Sequence, residues 1–209
     1  MRSFKRSCSG GKYLKGGVII YLEALVLAIL LGYLFKGRLR NLAELEFKAL
    51  FSFIGAFLIQ FIIDYQMANP FIQAYGRYLH LFSYLLLFYG IYRNYKLPGM
   101  GLIGLGIFLN FLVIAANGGY MPADPRTISP EWITMMKKGI RGTHSLIDEH
   151  TRLTFLADNI YLWFYPITFS FGKPIISFGD IFITLGVFWL VFQGMRKANP
   201  KSYKLTVFR

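Results

Sequence analysis

The segment MGLIGLGIFLNFLVIAANGGYMP, running from Met100 to Pro122, sets the class of this chain. From Met100 to Ala116 it carries no charged side chain, and it then stops abruptly in Asn117-Gly118-Gly119-Tyr120-Met121-Pro122. An apolar run of this length, without the polar stripe of a helix that faces water, suits a helix solvated by lipid. The pattern repeats outward along the chain. Apolar blocks cover Val18 to Phe35, Ala49 to Ile63, Tyr78 to Tyr92 and Ile175 to Gln193. A further block from Leu156 to Phe171 is broken by Asp158, Asn159 and Pro166 and closed by Gly172, as expected of a re-entrant or half-span. The fold class is therefore all-α, an integral membrane helical bundle of about five spans plus one half-span.

Composition agrees. Hydrophobic residues make up 55% of the chain and charged ones 16%, where a soluble domain carries roughly a quarter charged. The net charge of +13 comes from basic residues at the tails and at the block ends, not from one polar face. Anionic lipid headgroups are the expected partner, with a protein subunit as a further possibility and no nucleic acid. Cys8 is the only cysteine, so this chain alone holds no intramolecular disulfide, iron–sulfur cluster or thiolate zinc site.

We read residues 1–209 as one multi-pass domain with a basic head (1–17), a polar loop (117–157) and a basic tail (194–209). The head resembles a signal peptide, but no small-residue cleavage site follows Phe35, so the first span is read as a retained anchor. Basic residues favour cytoplasmic positions for the Lys36–Lys48 loop, the Arg93–Lys96 turn and the C-terminal tail, with the 117–157 loop outside. The basic head argues the other way. If the 156–171 segment crosses completely, the loop moves inside. The expected location is a cell membrane, the bacterial inner membrane. Within the loop, Ser129, Pro130 and Glu131 start a short helix and Lys137, Lys138 and Gly139 end it. Trp132, Ile133 and Met136 share one face of it, suiting either a surface-lying helix or a lid on the protein's own spans.

Several residues carry candidate chemistry. Gly99, Gly106, Asn110 and Asn117 are spaced seven, four and seven apart and fall on one helix face, which should contact another helix. Gly99, Gly101 and Gly104 also spell GxGxxG, but they open a membrane span and not a dinucleotide-binding unit. The turn Asn117, Gly118, Gly119, Met121 and Pro122 is either a helix cap or a shaped turn for a ligand. Asp158 and Asp180 each stand where apolar sequence resumes. They are a candidate catalytic pair, one activating water and the other polarising a carbonyl, or else Asp180 lies a turn inside the interface and Asp158 caps a helix start. Arg152 and Asn159 accompany them as ligand-binding or structural residues. His144, Asp148, Glu149 and His150 read as solvated loop charge rather than a metal site, and Glu23, Asp64 and His80 as interfacial. No cofactor is expected.

The ANGGYMP turn, the Thr151-Arg152-Leu153 to Phe155-Leu156-Ala157-Asp158 stretch and Ser177-Phe178-Gly179-Asp180 together resemble a family of bacterial multi-pass membrane proteins of unknown function. The likeness includes the Lys36-Gly37-Arg38-Leu39-Arg40-Asn41-Leu42 loop, while the charged head departs from it. The resemblance implies a membrane fold and no activity. A fainter likeness is to lipoprotein signal peptidases, whose second catalytic aspartate opens the last span in a context similar to Phe178-Gly179-Asp180-Ile181-Phe182-Ile183. Here Asn159 stands where that family has an arginine, and Gly179 where it has an asparagine. The sequence thus points to a binding or scaffold protein with a polar site at one membrane face. An intramembrane hydrolase using Asp158 and Asp180 is the first alternative and a small transporter the second.

Overall fold

A computed structural model describes residues 15–128, 130–161 and 175–196. It is mostly helical. The long helices are α1 (Lys15–Leu34), α2 (Leu50–Tyr65), α3 (Pro70–Asn94), α4 (Met100–Ala116) and α6 (Phe178–Arg196), and a short α5 (Pro130–Lys137) lies in the loop after α4. Local sequence sets their ends. Asn69 accepts a hydrogen bond from Phe71 N with Pro70 in the first turn, which starts α3 two turns ahead of the apolar block at Tyr78. α4 begins after Gly99 at φ 82° and ends in Gly118 and Gly119 at φ 68° and 92°, a backbone region that costs glycine nothing.

α6 is the hub, packed along α4 on one side and α1 on the other. The α4–α6 contact is backbone on backbone. A Cβ at Gly106 would overlap the carbonyl oxygen of Gly179, and one at Gly99 would overlap that of Gly186. Gly99 and Gly106 thus meet Gly186 and Gly179 in reverse order, so the helices run antiparallel with both glycine pairs in one register. Gly99, Gly106 and Asn110 of the stripe expected to touch another helix meet α6, while Asn117 bonds to Val113 and to the Arg152 backbone. On the far side of α6, Ala28 of α1 packs against Val191 and Met195. α2 and α3 form a second antiparallel pair, with Gln60 Nε2 donating to Ser83 Oγ at 2.9 Å. The largest buried cluster joins α2, α3 and α4 through Ala56, Leu87, Ile103 and Ile107.

The alternation of helix direction sorts the connections into two ends. At one end Arg38 N and Asn41 Nδ2 both donate to Met195 O, and Asn94 pairs with the backbone of Lys48. The Lys36–Lys48 loop, the Arg93–Lys96 turn and the end of α6 at Arg196 therefore share that end. At the other end lies a loop layer holding residues 117–161. Its framework was not expected. β1 (Met121–Ala123) pairs in parallel with β2 (His144–Leu146), Asp158 bridges Ala123 on the other side, and β3 (Ile160–Tyr161) pairs antiparallel with β4 (Ile175–Ile176). The Leu156–Phe171 half-span begins instead at the end of a 3-10 turn, Thr154–Leu156, followed by β3, and its residues 162–171, with 172–174 after them, lie outside the described residues. Ser129, the basic head up to 14 and the tail beyond 196 also lie outside them. The last helix starts at Phe178, since Ile175 and Ile176 are taken into β4.

Among the described residues, α6 is the one helix long and apolar enough by itself to cross a bilayer, and Ile20–Leu34, Leu50–Tyr65 and Met100–Ala116 are shorter apolar stretches. At 1.5 Å per residue, helices of 16 or 17 residues reach about 24–26 Å, a little short of a roughly 30 Å hydrocarbon layer.

The glycine seam gives a test. Gly179→Ala forces a methyl onto Asn110 and the Gly106 carbonyl, and should destabilise the purified protein by ~1–3 kcal/mol. Gly101→Ala meets nothing within 4 Å and should leave the melting midpoint unchanged or slightly raised.

Candidate functional site

Where α4 and α6 enter the loop layer, their polar groups are placed by the same glycine contact. Ser177 and Asp180 form a reciprocal helix cap: Asp180 N donates to Ser177 Oγ at 3.0 Å and Ser177 N donates to Asp180 Oδ2 at 3.1 Å. Asn110, one turn along α4 from Gly106, donates from Nδ2 to Asp180 Oδ1 at 3.0 Å and accepts from Ser177 Oγ at 2.8 Å. Tyr21 of α1 adds a third bond to the carboxylate, its hydroxyl donating to Asp180 Oδ1 at 2.7 Å. Both Asp180 oxygens are therefore occupied by three helices' worth of donors. This node ties α1, α4 and α6 together, and removal of any member strands a polar group in apolar surroundings.

The ANGGYMP turn is fixed by its own and neighbouring groups. Asn117 Nδ2 donates to Val113 O and to Arg152 O, while its Oδ1 accepts from Arg152 N at 2.9 Å. Arg152 thus meets the turn through its backbone, and its side chain is exposed. Gly119 N donates to Ile114 O, and buried His80 donates from Nδ1 to Gly119 O at 2.8 Å, since a carbonyl can only accept. A Cβ at Gly119 would press on the Arg77 backbone, so this glycine is needed for close approach as well as for its φ. Met121 and Pro122 are buried in β1, and Pro122 O accepts from Asp158 N. Asn159 bonds locally, from Nδ2 to Thr154 O.

Asp158 sits on this framework in extended backbone and caps no helix. Its Oδ2 lies 3.5 Å from His144 Nε2, and its Oδ1 is buried with no hydrogen-bond partner among the described residues. Behind His144 runs a polar chain. Thr143 Oγ1 is within 2.9 and 3.1 Å of the two Asp64 oxygens and 2.8 Å from His144 Nδ1. A carboxylate accepts, so the single threonine proton goes to Asp64 and His144 Nδ1–H donates to Thr143. The contact between His144 Nε2 and Asp158 Oδ2 is then bridged by a single proton. Burial pushes the Asp158 carboxyl up to about 6, with the bond from His144 pulling against it and Asp180 adding to it. Burial opposes charge on His144, but its bond to Asp158 and the field of Asp158, Asp64 and Asp180 prevail, and the ring titrates above its ordinary value. The pair holds its proton jointly.

The sequence reading of His144 as solvated loop charge is thereby corrected: the side chain is half-buried, while Asp148, Glu149 and His150 are exposed. Asp64 and His80 are likewise tied into the loop layer instead of reaching outward. Asp158 and Asp180 share no hydrogen bond, although each lies within the other's electrostatic reach. Among the described residues no group of three or more His, Cys, Asp or Glu is placed to hold a metal ion.

Fold and site together define a bundle of long helices closed at one end by a pinned loop layer with an ionisable pair inside it. By sequence the chain belongs to a family of unknown function, DUF5317, whose match covers residues 44–192 and takes in every residue of the two clusters except Tyr21. An uncharacterized protein of Thermotoga maritima is 28% identical over 170 residues, 81% of this chain and 86% of that one. No solved structure matches.

The shared proton predicts a pH dependence. Both groups bind their proton more tightly folded than unfolded, so the stability they add is complete below the ordinary carboxylate value and is lost as pH rises. The loss begins between 3.8 and about 6, where Asp158 ionises, and continues through the raised value of His144. Melting midpoints followed from about pH 4 to about pH 8 should fall less steeply in Asp158→Asn than in the unaltered protein. Identical slopes would remove the pair from the account.

Proposed function

We propose that this chain is an integral membrane protein, five spans with a polar site at one membrane face, and that it acts as a binding protein. The outward surface of the helices supports the membrane reading. Along α2 the exposed side chains include Phe51, Ile54, Phe57, Leu58, Phe61 and Ile62, with Phe51 88% exposed, while the small Ala56 is turned inward. Large apolar side chains outside and small ones at the contacts are what packing in lipid demands and what water penalises. Arg77 over Tyr78 at one end of α3 and Arg93 over Tyr89 at the other suit the two headgroup levels. Five spans carry the basic segments 36–48 and 93–96 to the cytoplasmic side and the loop layer to the outside.

The binding reading is carried by one observation: Asp158 Oδ1, shut away from solvent and without a donor among the described residues. A buried carboxylate oxygen left without a donor costs about 1–3 kcal/mol or more, and a ligand that brings an N–H, an O–H or a cation relieves that cost. Asp180 has no such vacancy. The hydrolase alternative draws on the partial protonation of Asp158 near neutral pH, but it asks Asp180 to give up donors that hold three helices together.

Cell fractionation and two variants test this. The chain should stay with membranes through an alkaline carbonate wash, and recovery in the soluble fraction would end the membrane reading. Asp158→Asn should accumulate and melt close to the unaltered protein, whereas Asp180→Ala should melt well below it, by ~2 kcal/mol or more of lost capping and buried bonds. If Asp158→Asn and Asp180→Asn both accumulate normally yet abolish the same cellular phenotype, the hydrolase replaces the binding protein.

A further inference from the structure

Apart from the Asp158–His144 pair, neither of which lines it, an open cleft of about 720 Å³ lies beside β2. Its volume falls in the range of small-molecule sites, roughly 300–1,000 Å³. α5 forms one wall through Ile133 and Met136, and Leu146 and Ile147 form the facing one. The floor is Ala116 and Asn117, the point at which α4 leaves its apolar stretch. Two cations, Lys137 and Arg141, stand on the rim. Neither has a carboxylate partner among the described residues. Asp148, the acid beside them, turns its Oδ1 back onto its own turn, accepting from His150 N and Thr151 Oγ1. Arg141 is steadied from beneath by the Tyr120 ring, 5.4 Å from its guanidinium carbon, which leaves its N–H edges free.

An apolar-walled cleft with two unpaired cations at its mouth is complementary to an anion attached to something apolar. We infer that this cleft binds the phosphate-ester headgroup of an anionic membrane lipid, with Lys137 and Arg141 on the phosphate and the base of the lipid against Ile133, Met136 and Ile147. The inference rests on the membrane reading above, which sets the floor of the cleft at headgroup level. Arginine takes phosphate oxygens in pairs and lysine as a point charge, so the two together favour an anion over a zwitterion. The exposed basic residues at the other end of the bundle, Lys36, Arg38 and Arg40, do not line this cleft, and they serve as the control.

The test uses the full chain in detergent, titrated with short-chain phosphatidylglycerol, short-chain phosphatidylcholine or inorganic phosphate and followed by native mass spectrometry and melting. Phosphatidylglycerol should bind most tightly and raise the melting midpoint. The double variant Lys137→Gln/Arg141→Gln should weaken that binding tenfold or more, each cation near a lipid phosphate being worth about 1 kcal/mol, and leave phosphatidylcholine unaffected. Ser145→Phe, which fills the cleft without touching a charge, should weaken it as well, while Arg38→Gln/Arg40→Gln should not. Equal affinity for the two lipids, or undiminished binding in both cleft variants, overturns the inference. Saturation by inorganic phosphate at the same concentration as lipid would make the ligand free phosphate and overturn it too. Fractionation as a soluble protein would sink the membrane reading whatever the titration gives, whereas a membrane-embedded chain with no lipid preference sinks this inference alone.

Discussion

Two places where side chains are missing hold the molecule in shape. At Gly106–Gly179 and Gly99–Gly186 the backbones of α4 and α6 touch, and no larger residue fits at either crossing. Close approach, with the dispersion and polar contacts it permits, supplies the attraction between the two helices. The approach also decides where polar groups meet. Asn110 lies one turn beyond Gly106, and Ser177 and Asp180 flank Gly179, so bringing the glycines together brings those three side chains within hydrogen-bond distance. Tyr21 then reaches the same carboxylate from α1.

Two aspartates of similar sequence setting end in different roles because of what surrounds them. Asp180 is saturated: backbone, amide and phenol donors satisfy both oxygens, and the carboxylate acts as a fastener between three helices. Asp158 is undersupplied, with a histidine on one oxygen and nothing described on the other. A group that is fully bonded resists change, while one that is half-bonded responds to pH and to ligands. The ladder behind it, from Asp64 through Thr143 to His144, fixes the histidine tautomer and links the end of α2 to the loop layer.

The sequence discloses the helices well and the loop layer poorly. Uninterrupted apolar blocks and the Gly99–Gly106–Asn110 stripe are local, periodic signals, and they correctly foretell the long helices and the face on which α4 packs. The start of α3 is also written locally, in Asn69-Pro70, but Gln73, Gly76 and Arg77 mask it from a reading of hydropathy. Ser177 and Asp180, three residues apart at a helix start, carry a capping signal that could have marked Asp180 as structural. His144 carries none. Its value lies in contacts with Asp158, and through Thr143 with Asp64, partners far away in the chain, and strands of two or three residues leave no alternation to read. The pairing of Tyr21 with Asp180 is invisible for the same reason.

The glycine seam also restricts assembly. Its two notches are seven residues apart on each helix, close to two turns, and they are filled only in one alignment. A slip of one turn between α4 and α6 empties both notches and drives bulky neighbours such as Ile103 and Ile183 into the gap. A slip of two turns rescues a single notch and pulls Asn110 away from Asp180. The pair therefore works as a two-toothed ratchet with one seated position, so that the two helices, sliding along each other, stop only where the polar node closes.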